Sequence, residues 1–430
     1  MKRKTYSHML WALAFFSVLV SPVIAGGQQD GGVPTLRFSH GWDGSDQKSE
    51  AFQPLLQEYI ESHRDTVVIE PEFVLSTDRI QKVQVDIASG SPPDVMLYWA
   101  YEANIGDMVR NGVLLDMEEF FEESAVSREQ FTGWPAVEID GGVYGIPLES
   151  FSGFFLANER IFNEVGLEIP STMEELSVAS PVLRDAGYIP LAMSSQNGDP
   201  GHLFFSALTY QFEDGLTDTQ AMFQARNFDY PANRRAAETV EELIEMAAIP
   251  NDTISTGGWA AQTALFTSGR AAMIHSFPWM IPDFLNDGTI DDYVVTDIPR
   301  LSGATRDPAE FTVGGISQIV VVSQKAWDNP TKRPHVIEFV EWLVSDGVLA
   351  TLAEETGMPV AKNVAFDTSG LSSLERQILD HQREQDLLPL HEAYFADSED
   401  FDFYKRSVDE LFAGMGAAEF VERVDGQLAR

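Results

Sequence analysis

The stretch from Asp140 to Leu176, DGGVYGIPLESFSGFFLANERIFNEVGLEIPSTMEEL, constrains the fold most, because its structural period changes twice along its length. Asp140-Gly-Gly is a turn signal, since glycine reaches positive φ without a Cβ clash. Val143 to Pro147 reads as a short crossing segment, and Phe151 to Ala157 as a short buried strand. Ile161, Phe162 and Val165 then fall at helical spacing and stop at Gly166, a C′ residue. After Pro170, Ser171-x-x-Glu174 has the form of a capping box. The expectation is a chain that passes between two lobes here and enters a second α/β unit.

Upstream, Thr35 to Ser39, Val67 to Ile69 and Val95 to Tyr98 read as strands. Between them, Phe52, Leu55, Leu56, Tyr59 and Ile60 form one apolar helix face, and Ile80, Val83 and Ile87 another. Strand–helix–strand–helix–strand predicts a parallel sheet, and ligands of such sheets bind beyond the carboxyl ends of the strands. Trp42-Asp43 and Trp99 to Glu102 occupy those ends. Met108 to Phe121 reads as one helix with an acidic end. Ala261 to His275 reads as a helix ending near Gly269 followed by the strand Ala271 to Ile274. Val336, Phe339, Val340, Leu343 and Val344 mark a late helix face. Neither an internal repeat nor a long linker interrupts the chain.

The charge excludes one class of partner. With 67 acidic against 28 basic residues, the net charge is −39, and nucleic-acid binding depends on Lys and Arg neutralising phosphates. Lys2, Arg3 and Lys4, the apolar run Met9 to Val20 and the small residues up to Ala25 form a signal-peptide pattern, with cleavage expected after Ala25. The chain has no cysteine. Disulfides, thiolate metal sites and an anchor through a lipidated Cys are therefore excluded. The eight His are scattered, so neither a metal nor another cofactor is expected.

Together these stretches resemble the carbohydrate-binding group of extracellular solute-binding proteins, the maltose-binding-protein-like receptors of ABC importers. The resemblance rests on the turn and Tyr-Gly-Ile-Pro at 144–147, Asn158-x-x-Ile161-Phe162, Gly166-Leu-x-x-Pro170, Ser91-Pro-Pro-Asp94 and the 261–279 segment. It continues through Phe311-Thr-Val-Gly-Gly315 and Gly357-x-Pro359. It spans about Leu36 to Asn363. The sequence departs from the family pattern at Ala157, where a Tyr is usual, and at Met173, where a Trp is usual. The resemblance implies an α/β, two-lobe periplasmic-binding-protein fold with discontinuous lobes and a ligand cleft between them. The expected division is residues 1–25 as signal peptide, 33–140 plus about 285–330 as one lobe, and 145–280 plus 331–430 as the other. It further implies a monomer that delivers a sugar to ABC permease subunits and has no enzymatic activity. By motif, the family's sugar-contacting Trp and acidic residue fall on Trp99 and Glu102, and its stacking Trp on Trp279.

Sugars offer flat C–H faces and rings of hydroxyls, so a site for them needs aromatic planes together with carboxylates and amides. On that chemistry the candidate ligand-binding residues are Trp42, Asp43, Trp99, Tyr101, Glu102, Glu149, His202, Trp259 and Trp279. Gly314 and Gly315 join them as a close-approach or hinge feature, or as a backbone contact. No phosphate-binding loop, nucleophile elbow or His-Glu-x-x-His pair is present. A polyol, glycerol phosphate or other small solute is the alternative ligand. A secreted carbohydrate-active enzyme, whose two acids need only meet in space, is the alternative class.

Overall fold

In the computed structural model, residues 32–42, 47–74, 76–212, 216–254, 257–286, 288–357 and 359–430 are described. The signal-peptide segment, Asp43 and Met358 lie outside them. β1 (Thr35–His40), α1 (Gln47–His63), β2 (Val68–Phe73), α2 (Ser76–Ala88) and β3 (Val95–Trp99) alternate as the hydrophobic periods predict. β1 runs parallel to both β2 and β3, with Leu36 opposite Ile69 and Phe38 opposite Val95. Parallel neighbours need a crossover, and α1 and α2 supply it. The expected stripe of α1 is buried at Phe52, Leu56 and Tyr59. The helix expected over 108–121 is instead two helices, α3 (Glu102–Arg110) and α4 (Met117–Glu123). Gly112 at φ 64° turns the chain between them, and the Asp116 carboxylate caps α4 by accepting from the Glu118 amide at 3.2 Å.

β4 (Glu138–Ile139), β5 (Gly142–Val143) and β6 (Ile146–Pro147) follow. The crossing expected at 143–147 falls slightly later, because Ile146 pairs with Val320 inside the first sheet. β7 (Ser150–Ser152), β8 (Phe154–Asn158), α5 (Glu159–Val165), α6 (Met173–Asp185), β9 (Ile189–Ala192) and α7 (Gly201–Tyr210) open the second lobe. Asn158 caps α5 through the Ile161 amide, and Gly166 ends it in the left-handed conformation. The cap of α6 lies one residue beyond the expected Ser171. Thr172 Oγ1 accepts from the Glu175 amide, while Ser171 donates from N and Oγ to Glu175 Oε2. α8 (Leu216–Gln224), α9 (Pro231–Glu245), α10 (Trp259–Thr267), β10 (Ala271–Ser276), α11 (Ile281–Leu285) and β11 (Tyr293–Thr296) complete this run.

The chain returns through β12 (Phe311–Ile316) and β13 (Gln318–Val322), then α12 (Gln324–Trp327), α13 (Arg333–Leu343) and α14 (Asp346–Thr356). It ends with α15 (Ser373–Gln382), β14 (Asp386–Pro389), α16 (Ser398–Phe412) and α17 (Ala417–Leu428). The sheets are ordered β2-β1-β3-β13-β6, β11-β8-β10-β9 and β14-β12-β7. One hydrophobic core gathers side chains from Leu36 to Leu148 and from Ile316 to Ala361. Three further clusters draw on Phe151 to Val313 and on Leu374 to Leu428, with Ala103 of α3 joining one of them. This packing corrects the expected division twice. Residues 293–313 belong with the second lobe, because β11 pairs with β8, Tyr293 opposite Asn158. Residues 333–356 belong with the first, because Phe339 of α13 packs edge-on against Phe38, centroids 5.0 Å apart. Periodicity identifies an apolar helix face but not the core that receives it.

The lobes are joined by neighbouring crossings held by backbone hydrogen bonds. The Leu148 amide donates to the Gln318 carbonyl, Ala361 to Leu148, and Ser150 to Pro359, at 2.9–3.1 Å. Gly315 lies opposite Phe151 in an antiparallel register. Elsewhere α3 meets the second lobe directly: Asn104 Nδ2 donates to Glu392 Oε1 at 2.8 Å, and Ser398 Oγ to Asp107 Oδ2 at 3.2 Å.

Candidate ligand-binding site

The first-lobe side of the site is polar. Glu149 sits on the crossing immediately before β7 and is 4% exposed. Its Oε2 accepts from Lys48 Nζ at 3.0 Å and from Ser317 Oγ at 3.1 Å. Ser317 is held there because its own amide donates to the Glu149 carbonyl. Trp42, at the end of β1, is buried with its ring edge-on to Phe52, centroids 4.7 Å apart. Lys48 Nζ lies 5.9 Å from that ring. Trp99, at the end of β3, is half-buried, and the Arg79 guanidinium lies over its face at 4.1 Å. Gln318 stands opposite Trp99 in the sheet, its Oε1 buried without a partner.

Tyr101 and the two glycines form a packing unit. Tyr101 has φ 75°, and its hydroxyl accepts from the Ile316 amide at 3.0 Å. A Cβ at Gly315 would overlap that hydroxyl, and one at Gly314 would overlap the Phe151 carbonyl oxygen. The close approach expected of Gly314-Gly315 is therefore made by the protein itself. Burial pushes the Tyr101 phenol well above its ordinary range. The bond from the Ile316 amide ties its hydroxyl to the backbone crossing. Glu102 starts α3 half-buried, paired with Arg110 Nη1 at 3.0 Å. Burial raises its carboxyl pKa, and the Arg110 charge opposes that rise.

The second-lobe side is an aromatic wall. Phe277 and Trp279 stack at 5.0 Å and 7° between planes. Trp259, the first residue of α10, stands edge-on to both at 5.6 and 5.2 Å. Phe151 closes the group edge-on at 5.7 and 5.3 Å. Trp259 and Trp279 remain half-exposed, whereas Phe277 is buried. Phe151 lies two residues beyond Glu149, so about 7 Å of extended chain links wall to floor. His202 is apart from this group. It is 4% exposed on α7, Nε2 is 3.1 Å from Asp199 Oδ1, and its ring stands edge-on to Phe401.

A cavity of about 290 Å³ opens between α2, α3 and α16, lined by Ile80, Tyr98, Ala103, Asn104, Phe401 and Lys405 among others. None of the candidate tryptophans lines it. Among the described residues no trio of His, Asp or Glu is arranged to hold a metal. The sequence reading missed Arg79, Lys48, Ser317, Phe151 and Phe277. Arg79 alone carried a signal. It lies four residues before Val83, on the inner face of α2, in a chain poor in cations.

Residues 44–350, more than half of the chain, match the bacterial extracellular solute-binding protein family. The chain belongs to that family. A galactooligosaccharide-binding protein of Bacillus subtilis (strain 168) is 24% identical over 241 residues, 52% of this chain and 51% of that protein. The match therefore spans about half the length of this relative. Among solved structures, a chitin oligosaccharide binding protein superposes with TM-score 0.78 at 19% identity, covering 92% of this solute-binding protein and 98% of that chain. The maltose-bound MalE3 of T. maritima gives TM-score 0.69 at 16% identity, covering 92% and 99%. At such identities these likenesses establish the two-lobe fold. Among the described residues, no helix of this family member is long and apolar enough to cross a membrane.

Proposed function

We propose that this protein is the exported substrate-binding component of an ABC importer, closing its lobes on a mono- or oligosaccharide and handing it to membrane permease subunits. The observation that carries this reading is an aromatic wall on one lobe joined, through crossing strands, to a carboxylate, amide and cation floor on the other. Half-exposed indoles such as Trp259 and Trp279 suit the C–H face of a pyranose, and Glu149 and Gln318 suit its hydroxyls. A ligand touching both sides stabilises the closed arrangement by its differential affinity for it. The family supports the receptor role, and relatives that bind galactooligosaccharide, chitin oligosaccharide and maltose support the ligand class.

The test is a thermal-shift screen against mono- and oligosaccharides, polyols and glycerol phosphates, with product analysis of each mixture. A ligand at 100 times its Kd adds about 2.7 kcal/mol, which is readily visible. The expected result is a shift with a sugar, reduced to about a third in Trp279→Ala, with the sugar recovered unchanged. Conversion of the sugar would replace a receptor with an enzyme. Silence across all carbohydrates would overturn the ligand class.

A further inference from the structure

Arg79 is the least compensated charge in the described part of the site. Its side chain is 3% exposed. Its guanidinium lies over the Trp99 ring, 4.1 Å from the centroid. Its Nη1 also lies against the backbone of Gly41, where a Cβ would come within 2.6 Å. Nε is buried with no hydrogen-bond partner. Among the described residues, no carboxylate lies within the 4.0 Å of an ion pair. The nearby acid, Glu149, already serves Lys48 and Ser317. His40, whose pKa burial and the Arg79 charge push down to about 3, adds no positive charge at neutral pH. Among the described residues, Arg79, Lys48 and Glu149 therefore leave this patch one negative charge short.

From this geometry we propose that the sugar bound here carries a carboxylate, a uronic acid or an oligosaccharide containing one, which pairs with Arg79. The proposal rests on the sugar-receptor reading above and narrows its substrate class. The Trp99 ring offers the guanidinium a π face but no oxygen acceptor, and a carboxylate is the oxygen ligand that an arginine fork fits bidentately. A neutral hydroxyl satisfies an N–H but leaves a buried charge uncompensated, which is costly. Burial lowers the Arg79 pKa only to about 10, so the group stays cationic at neutral pH. The net charge of −39 does not forbid an anionic ligand, because exposed charges are screened beyond about 8 Å at physiological salt. The local charge decides.

The experiment measures Kd by calorimetry for matched pairs: galacturonate against galactose, glucuronate against glucose, and digalacturonate against galactobiose. An acid sugar is expected to bind roughly tenfold to a hundredfold tighter than its neutral partner, and to weaken with added NaCl while the neutral sugar does not. Arg79→Met removes the charge but keeps an unbranched side chain beside Trp99, and is expected to abolish that preference, with a larger loss for the acid sugar than for its neutral partner. The unliganded variant should melt no lower than the parent, because an uncompensated buried charge has been removed. Arg79→Lys, which keeps the charge but loses the fork, should retain part of the preference. Equal affinity within the pairs, an acid preference that survives Arg79→Met, or an unliganded variant that melts several degrees lower would each overturn the proposal. Binding of neutral sugars alone would do so while leaving the sugar-receptor reading intact. Failure of both series to bind would overturn that reading as well.

Discussion

The two sides of the candidate site are built in opposite ways. The wall is largely local and self-sufficient: Phe277 and Trp279 are two residues apart, and Trp259 and Phe151 lean on both of them. The floor is assembled from distant segments. Lys48 comes from α1, Arg79 from α2, Trp99 from β3, Glu149 and Ser317 from separate crossings. Apolar rings gain from burial in almost any mutual orientation, so a wall tolerates change piecemeal. Buried hydrogen-bonded groups depend on specific partners, so the Lys48–Glu149–Ser317 part of the floor fails as a unit.

The largest effect should come from cutting the floor. Glu149→Gln leaves Lys48 without its anion and is expected to lower stability by about 2–3 kcal/mol, the full buried-pair cost being reduced because Lys48 keeps 18% of its side chain exposed. Chemical denaturation would read it, and adding Lys48→Met should recover part of the loss. An unchanged midpoint in Glu149→Gln would mean the floor is no network.

Trp279→Ala should do the reverse. It is expected to weaken sugar binding by about 2 kcal/mol, roughly thirtyfold, with a smaller effect on melting, since the ring is half-exposed. Comparable losses of binding and stability would erase the contrast between wall and floor. Tyr101→Phe tests the join between them. It strands the Ile316 amide, so stability should fall by about 1–2 kcal/mol while the sugar Kd stays constant. A large change in Kd would return Tyr101 to the ligand.

Acid should act in part through buried histidines. Burial lowers the pKa of His40 in the first lobe, and of His275 and His391 in the second, to about 3. Each folded value lies below the ordinary 6.5, so between those limits the unfolded chain binds more protons and stability falls as pH falls. The slope is about 1.4 kcal/mol per pH unit for each fully titrating group. His275→Phe should flatten the acid limb of unfolding, read as melting temperature against pH, and an unchanged limb would contradict this. The smallest effect expected is from Thr172→Ala, about 1 kcal/mol, through loss of the cap of α6.

Much of the fold was legible because it is written in short-range periods. The alternation from Thr35 to Trp99 and the Gly269 break before β10 could be read directly. The destination of α13 could not, because Val336, Phe339 and Val340 would suit either core equally. The site divides in the same way. Trp259 and Trp279 advertise themselves as tryptophans flanking one strand, whereas the partnership of Lys48 with Glu149 spans 101 residues and leaves no local trace. Tyr101 and Gly315 are each conspicuous in the sequence, but their mutual exclusion of volume exists only once β12 lies against the start of α3.

The crossings have a mechanical consequence. Segments 148–151, 314–318 and 359–361 are laced laterally by backbone hydrogen bonds. None can change its dihedrals alone without tearing that lacing. Any large displacement of one lobe against the other must therefore bend all of them together, which reduces six rigid-body freedoms to little more than one angular coordinate. A ligand that draws wall and floor together has only that coordinate to order, so little of its binding energy is lost to orienting two freely tumbling halves.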